Sequence, residues 1–143
     1  MRIWVCFIGL ICVVSCSESA VDEVPVTEEK KSFVMHEVSE MSAIMQHMYQ
    51  LNEQLKERIE SGEELGSYSE IFERILEAQM TNNKQIDDFF RVHAETFLKD
   101  QRSIYENPEN AKDLYNEAIS SCIACHEVKC TGPIQKIEKL YIE

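Results

Sequence analysis

Turn-forming residues are scarce in this chain, with four glycines and three prolines among 143 positions. No stretch sustains an alternation of apolar and polar residues, so a sheet built from half-buried strands is excluded and helices remain. Positive charge is also in short supply: 14 Lys and Arg stand against 26 Asp and Glu, for a formal net charge of −12. A surface this acidic argues against nucleic acid and for basic partners or plain solubility. No nucleophile–base pair or carboxylate constellation is visible, so nothing in the residues points to a hydrolytic enzyme. Internal repeats are absent as well.

Long apolar runs are missing everywhere except at the start. After Met1-Arg2 the residues from Ile3 to Val14 carry no charge. One base before a short apolar stretch reads as an export signal, and the stretch is too short for a comfortable membrane span. It closes with Val13-Val14-Ser15-Cys16, which resembles the bacterial lipobox, where the cysteine is acylated and becomes the first residue. An ordinary signal peptide cut slightly later is the alternative. The expected organisation is a lipoprotein signal peptide over residues 1–15, lipid on Cys16, a flexible tether over 16–27, and one domain over 28–143. The tether is polar and acidic, and the remainder suffices for one core and not for two. Removing residues 1–15 deletes Arg2 and no acid, which makes the charge one unit more negative than −12. Acyl chains contribute about 0.8 kcal/mol per buried methylene, enough to hold the protein on a bacterial membrane, at its periplasmic face or the cell surface.

Cysteine carries the most information. Of six cysteines, Cys6 and Cys12 lie in the signal and Cys16 takes lipid. Cys122, Cys125 and Cys130 remain, an odd number in an oxidising compartment and so a poor disulfide framework. All three fall in SSCIACHEVKC, Ser120 to Cys130, together with His126. Cys122, Cys125, His126 and Cys130 have the donor types of a structural zinc site, but such sites normally draw two ligands from a distant segment. A thioredoxin-like C-x-x-C needs strands and a crossover helix around it. C-x-x-C-H is instead the attachment signature of c-type haem. The two thiols add across the porphyrin vinyls, and His126 binds the iron from one side. On a helix, residues 122, 125 and 126 share a face, as two anchors and a ligand for one flat ring must. The residues therefore favour one covalent haem c over zinc and over redox thiols.

The rest reads as four helical segments. The first runs from about Glu28 to Ser61, with Thr27 as N-cap and Gly62 as its end. Its apolar stripe is Val34, Val38, Met41, Met45, Met48, Asn52, Leu55 and Ile59, the 4-3 spacing of a bundle helix. The second opens on the capping box Ser67-Tyr68-Ser69-Glu70, carries Ile71, Ile75, Leu76 and Met80, and breaks at Thr81-Asn82-Asn83. The third spans Lys84 to Tyr105, with Ile86, Phe90, His93, Phe97 and Ile104 on one side. The fourth opens at Asn107-Pro108-Glu109 and leads from Ala111, Tyr115 and Ala118 to Cys122 and Cys125 on the same face. Thr131-Gly132-Pro133 stops it, and Ile134 to Tyr141 forms a short C-terminal helix. Short connections predict an all-α fold, an antiparallel up-down-up-down four-helix bundle with a short C-terminal helix.

A bundle with C-x-x-C-H near the end of its last helix resembles the class II c-type cytochromes, the cytochrome c-prime group. EMSAIMQHMY (Glu40–Tyr49) and CIACHEVKCTGPIQKIEKL (Cys122–Leu140) are similar to segments of small exported bacterial lipoprotein cytochromes of that type. The likeness covers residues 30 to 141, and departs from the family where Cys130, Gly132 and Pro133 interrupt the helix after His126. In such a bundle the end of the fourth helix lies beside the start of the first, so the iron faces the first half of that helix, where the stripe is Val38, Met41, Met45 and Met48. In low-spin members of the family a methionine of this helix binds iron, and Met41 sits at about the matching depth with Met45 one turn further, which implies Met41 as the metal ligand beside His126 and Met45 as the alternative ligand or haem contact. His93, between Phe90 and Phe97, is the histidine rival; His36 and His47 fall off the stripe of the first helix. Methionines at this spacing also serve as core filler, as Cys130 is expected to do.

Two functions follow from the iron's sixth position. A six-coordinate haem makes an electron carrier working between exported redox partner proteins. An open position makes a binder of nitric oxide or another small gas. A zinc-stabilised helical adaptor is the remoter alternative. The expected partners are redox proteins and, through Cys16, a membrane; nucleic acid is not among them, and a dimer is compatible with the sequence.

Overall fold

The computed structural model describes residues 38–143, and the expectations for the signal peptide, Cys16, the tether, Thr27, Val34 and His36 lie outside them. The described residues are all-helical and contain no strand. None of their helices is long and apolar enough to cross a membrane.

The first helix, α1 (Glu40–Ser61), starts at a polar cap: the Ser39 side chain accepts from the Ser42 backbone N–H. Val38 and Ser39 lie outside it, so the helix does not extend back through Val38, which is 61% exposed and not part of the stripe. Gly62 ends α1 in the left-handed region at φ 70°, where its N–H reaches the carbonyls of Arg58 and Ile59; a side chain is disfavoured in that conformation. The buried residues of α1 are Met41, Ile44, Met48, Asn52 and Leu55. Ile44 thus takes the core position that the 4-3 reading gave to Met45, which is only partly buried.

The expected second helix is a short 3-10 helix over Glu70–Leu76. Its buried residues explain the difference: Phe72, Ile75 and, just beyond, Ala78 recur every third position, the repeat of a 3-10 turn and not of an α-helix. Ser69, not Ser67, caps it through the Ile71 N–H. The break at Thr81-Asn82-Asn83 is a 3-10 turn in which Asn82 adopts φ 58°, a left-handed conformation that asparagine tolerates.

The third segment starts later than expected, as α2 (Asp88–Glu106), because Asp87 caps it by accepting from the Phe90 N–H at 2.9 Å. Pro108 opens a 3-10 turn over Pro108–Asn110 that runs into α3 (Ala111–Lys129). Beyond Thr131-Gly132-Pro133 come α4 (Ile134–Ile137) and a 3-10 turn over Glu138–Leu140.

Side chains bury themselves in two clusters. One gathers Met41, Ile44 and Met48 with Phe72, Ile75, Phe90, Phe97 and Leu98. The other gathers Leu55, Ile104, Tyr115, Ala118 and Ile119 with Ile137, Leu140 and Ile142 of the C-terminal segment. Tyr115 ties α3 to α1, since its buried hydroxyl donates to the Asn52 carbonyl at 2.9 Å. Cys122 packs against both clusters.

Candidate functional site

Cys122, Cys125 and His126 lie on the last two turns of α3 and are all half-buried. Cys122 and His126 open onto a cleft of about 600 Å³ whose other wall is α1, with Met45, Met48 and Tyr49, and whose floor is the C-terminal segment, with Pro133, Ile137 and Leu140. That volume is in the ordinary range for a small-molecule or cofactor site. A much smaller cavity, about 30 Å³, adjoins it and is lined by Cys125, His93, Phe90 and Ala94. Met45, Met48, Phe97, Cys122 and His126 border both spaces. Cys122 and His126 therefore share one partition with two methionine thioethers, and Cys125 borders only the smaller space.

The C-terminal end of α3 also fixes the histidine. His126 Nδ1 is 2.9 Å from the Cys130 carbonyl oxygen, which can only accept, so Nδ1 carries the proton. In the neutral ring this leaves Nε2 with its lone pair free for a metal. Thr131, Gly132 and Pro133 end the helix after Lys129 and leave the Cys130 carbonyl available to the ring. The interruption that departs from the class II pattern thus supplies the partner for His126.

Burial, reinforced by the neighbouring Cys125 sulfur, pushes the Cys122 thiol up to about 12. The Cys125 thiol is also raised by burial. Both are neutral thiols at neutral pH, without the thiolate character that redox-active pairs depend on. Cys130 is exposed, a correction to its expected role as core filler. Among the described residues no three His, Cys, Asp or Glu side chains converge to hold a metal ion; the four-donor zinc alternative needs such convergence.

The remaining candidates separate. Met45 lines the cleft and the small cavity, whereas Met41 is buried in the first core cluster and borders neither. The Met41 N–H bonds the Gln79 carbonyl at 3.0 Å, at the far end of the 3-10 segment. His93 borders the small cavity and stacks on Phe89, with ring centroids 4.2 Å apart. His47 is exposed.

Sequence reasoning set Met48 on the stripe facing the site without giving it a role, and it missed Tyr49, Asn52 and Lys136 as site residues. The Lys136 ammonium sits 3.9 Å from the centroid of the Tyr49 ring. Asn52 is 2% exposed and lines the cleft. Its Nδ2 donates to the Met48 carbonyl at 2.9 Å, which leaves Oδ1 buried without a hydrogen bond. Asparagine on an otherwise apolar stripe was the signal available in the sequence. Compared with known proteins, the chain matches no family model, no curated protein and no solved structure.

Proposed function

We propose that the protein is an exported, lipid-anchored cytochrome carrying one haem c, and that it passes single electrons between redox partner proteins at a bacterial membrane. It works as a carrier and not as an enzyme. The reading rests on one observation above all: Cys122, Cys125 and His126 line one small cavity with Met45 and Met48, Cys122 and His126 also open with both methionines onto the adjoining cleft, and His126 Nδ1 is already held by a carbonyl.

The donor set fits the group. Cys122 and Cys125 can each add S–H across a vinyl, and neutral thiols are the form that such an addition consumes. His126 would present Nε2, and Met45, which lines the cleft and the small cavity as Met48 does, is the methionine proposed as the sulfur donor. When bound, haem c supplies a one-electron ferric/ferrous couple, which an axial thioether biases toward the ferrous state. Met45, Met48, Phe97, Ile137 and Leu140 supply the apolar part of a cleft wall that also carries Ser42, Gln46, Gln50, Asn52 and Lys136.

The scaffold belongs to the same proposal: an antiparallel up-down-up-down four-helix bundle whose second member is shortened to a 3-10 helix. Its support is a closed cycle of packing, in which α1 contacts the 3-10 segment, that segment contacts α2, α2 contacts α3, and α3 returns to α1. The test is the absorption spectrum of purified protein in both oxidation states, with and without carbon monoxide. A carrier gives a low-spin spectrum that the gas does not alter. A high-spin spectrum that shifts on gas addition turns the reading to a gas binder.

A further inference from the structure

The cleft is electrostatically unlike the chain around it. Acids outnumber bases 26 to 14 in the sequence, yet no Asp or Glu lines the cleft, and Lys136 is its one lysine or arginine. Lys136 has no ion-pair partner among the described residues. It rests instead on the Tyr49 ring, whose face attracts a cation without neutralising it. Lys56 of α1, by contrast, is occupied: its ammonium donates to the carbonyls of Lys139 and Tyr141 and pairs with Glu60. Burial, and after it the Glu53 carboxylate of α1, pushes the Tyr49 hydroxyl up.

The cleft has a second polar feature of opposite character. Asn52 Oδ1 is a buried acceptor with its amide nitrogen already committed. An acceptor repels a carboxylate and a free ammonium attracts one. An amphiphilic ligand with an apolar body and an anionic edge is therefore oriented in one sense. Its body lies toward Cys122, Phe97, Met45 and Met48, and its anionic edge lies at Lys136, away from Asn52.

We infer that Lys136 is the propionate anchor of this site, a positioning residue that pairs with a haem carboxylate at the rim of the cleft. The inference rests on the haem c reading and names the residue that sets which way the ring's carboxylate edge faces. A cation held there favours the ferrous state, in which the haem carries one less positive charge, so Lys136 also raises the potential.

The experiment uses the full-length holoprotein and the variants Lys136→Gln, Lys136→Glu and Lys136→Arg. It reads the midpoint potential and the propionate bending bands in the resonance Raman spectrum. Lys136→Gln should lower the potential and shift a propionate band, Lys136→Glu should lower the potential further, and Lys136→Arg should restore both. Lys136 is exposed, so the variants keep the fold, and an unchanged Soret band verifies it. Holoprotein in which Gln and Glu leave the propionate bands unmoved overturns the anchor alone, even if the potential drifts through distant charge. Wild-type protein without covalent haem overturns the haem reading and the anchor with it.

Discussion

Met45 and Met41 are one turn apart on α1, yet they occupy different environments. Met41 is packed in the core, whereas Met45 borders the cleft beside His126 and Cys122. Met45→Leu keeps the apolar volume and should convert a low-spin haem to a high-spin one that binds carbon monoxide. Met41→Leu should leave the spectrum unchanged and cost less than about 1.5 kcal/mol of stability. If only Met41→Leu opens the iron, or if only His93→Leu does, Met45 is not the ligand. Tyr115→Phe removes the hydroxyl that donates to the Asn52 carbonyl and should destabilise the fold by about 1 kcal/mol in urea titration, without a change in spin state. The three residues of the C-x-x-C-H turn were legible in the sequence because one helix turn brings them together by local geometry. Tyr49 and Lys136 were not, because they meet that turn only through packing between distant segments. The choice of Met45 over Met41 depended on the rotational phase of α1, and a 4-3 spacing does not tell Ile44 from Met45 as the buried member.

At the level of elements, the ends of α2 and α3 near the site are clamped by Asp87. Its carboxylate caps α2 through the Phe90 N–H and pairs with Lys129 in the last turn of α3. The Lys129 hydrogen bond, with the Phe90 N–H behind it, holds the Asp87 carboxyl below the ordinary aspartate value. A lowered carboxyl stabilises the fold above its unfolded value, near pH 3.9, and that contribution is lost as pH falls through the lower folded value. Asp87→Asn keeps a cap and removes the charge, so denaturant titrations should show a shallower loss of stability below about pH 4 than in the wild type. A slope as steep as the wild type's would assign the acid sensitivity to other carboxylates. Phe72 tests the 3-10 segment: it is 1% exposed, and Phe72→Ala should cost about 3–5 kcal/mol. The helical character and the stops at Gly62, Asn82 and Thr131 were readable, since they follow from scarce glycine and proline placed where helices end. The 3-10 geometry was not, because Ile71, Ile75, Leu76 and Met80 also fit an α-helical face. Only the core that accepted Phe72, Ile75 and Ala78 decides between the two periods.

At the scale of the whole molecule, the proposed anchor and the proposed cofactor would make one functional unit: lipid on Cys16 would confine the proposed carrier to a membrane surface, where redox partners could meet it. Cys16→Ala should release the protein from membranes or leave it misprocessed, and the mass of the mature wild-type chain should include acyl groups. An unmodified terminus beyond residue 16 would place the protein in solution after export. The central claim is the covalent haem on Cys122 and Cys125, and one measurement addresses it directly: mass spectrometry of the peptide spanning Ser120–Cys130 from protein made in cells that mature c-type cytochromes, denatured and extracted with acid and organic solvent. The account predicts a peptide that keeps one haem mass through extraction and loses it when both cysteines are replaced by alanine. A peptide of unmodified mass from colourless protein, with one equivalent of zinc in the native sample, would contradict it.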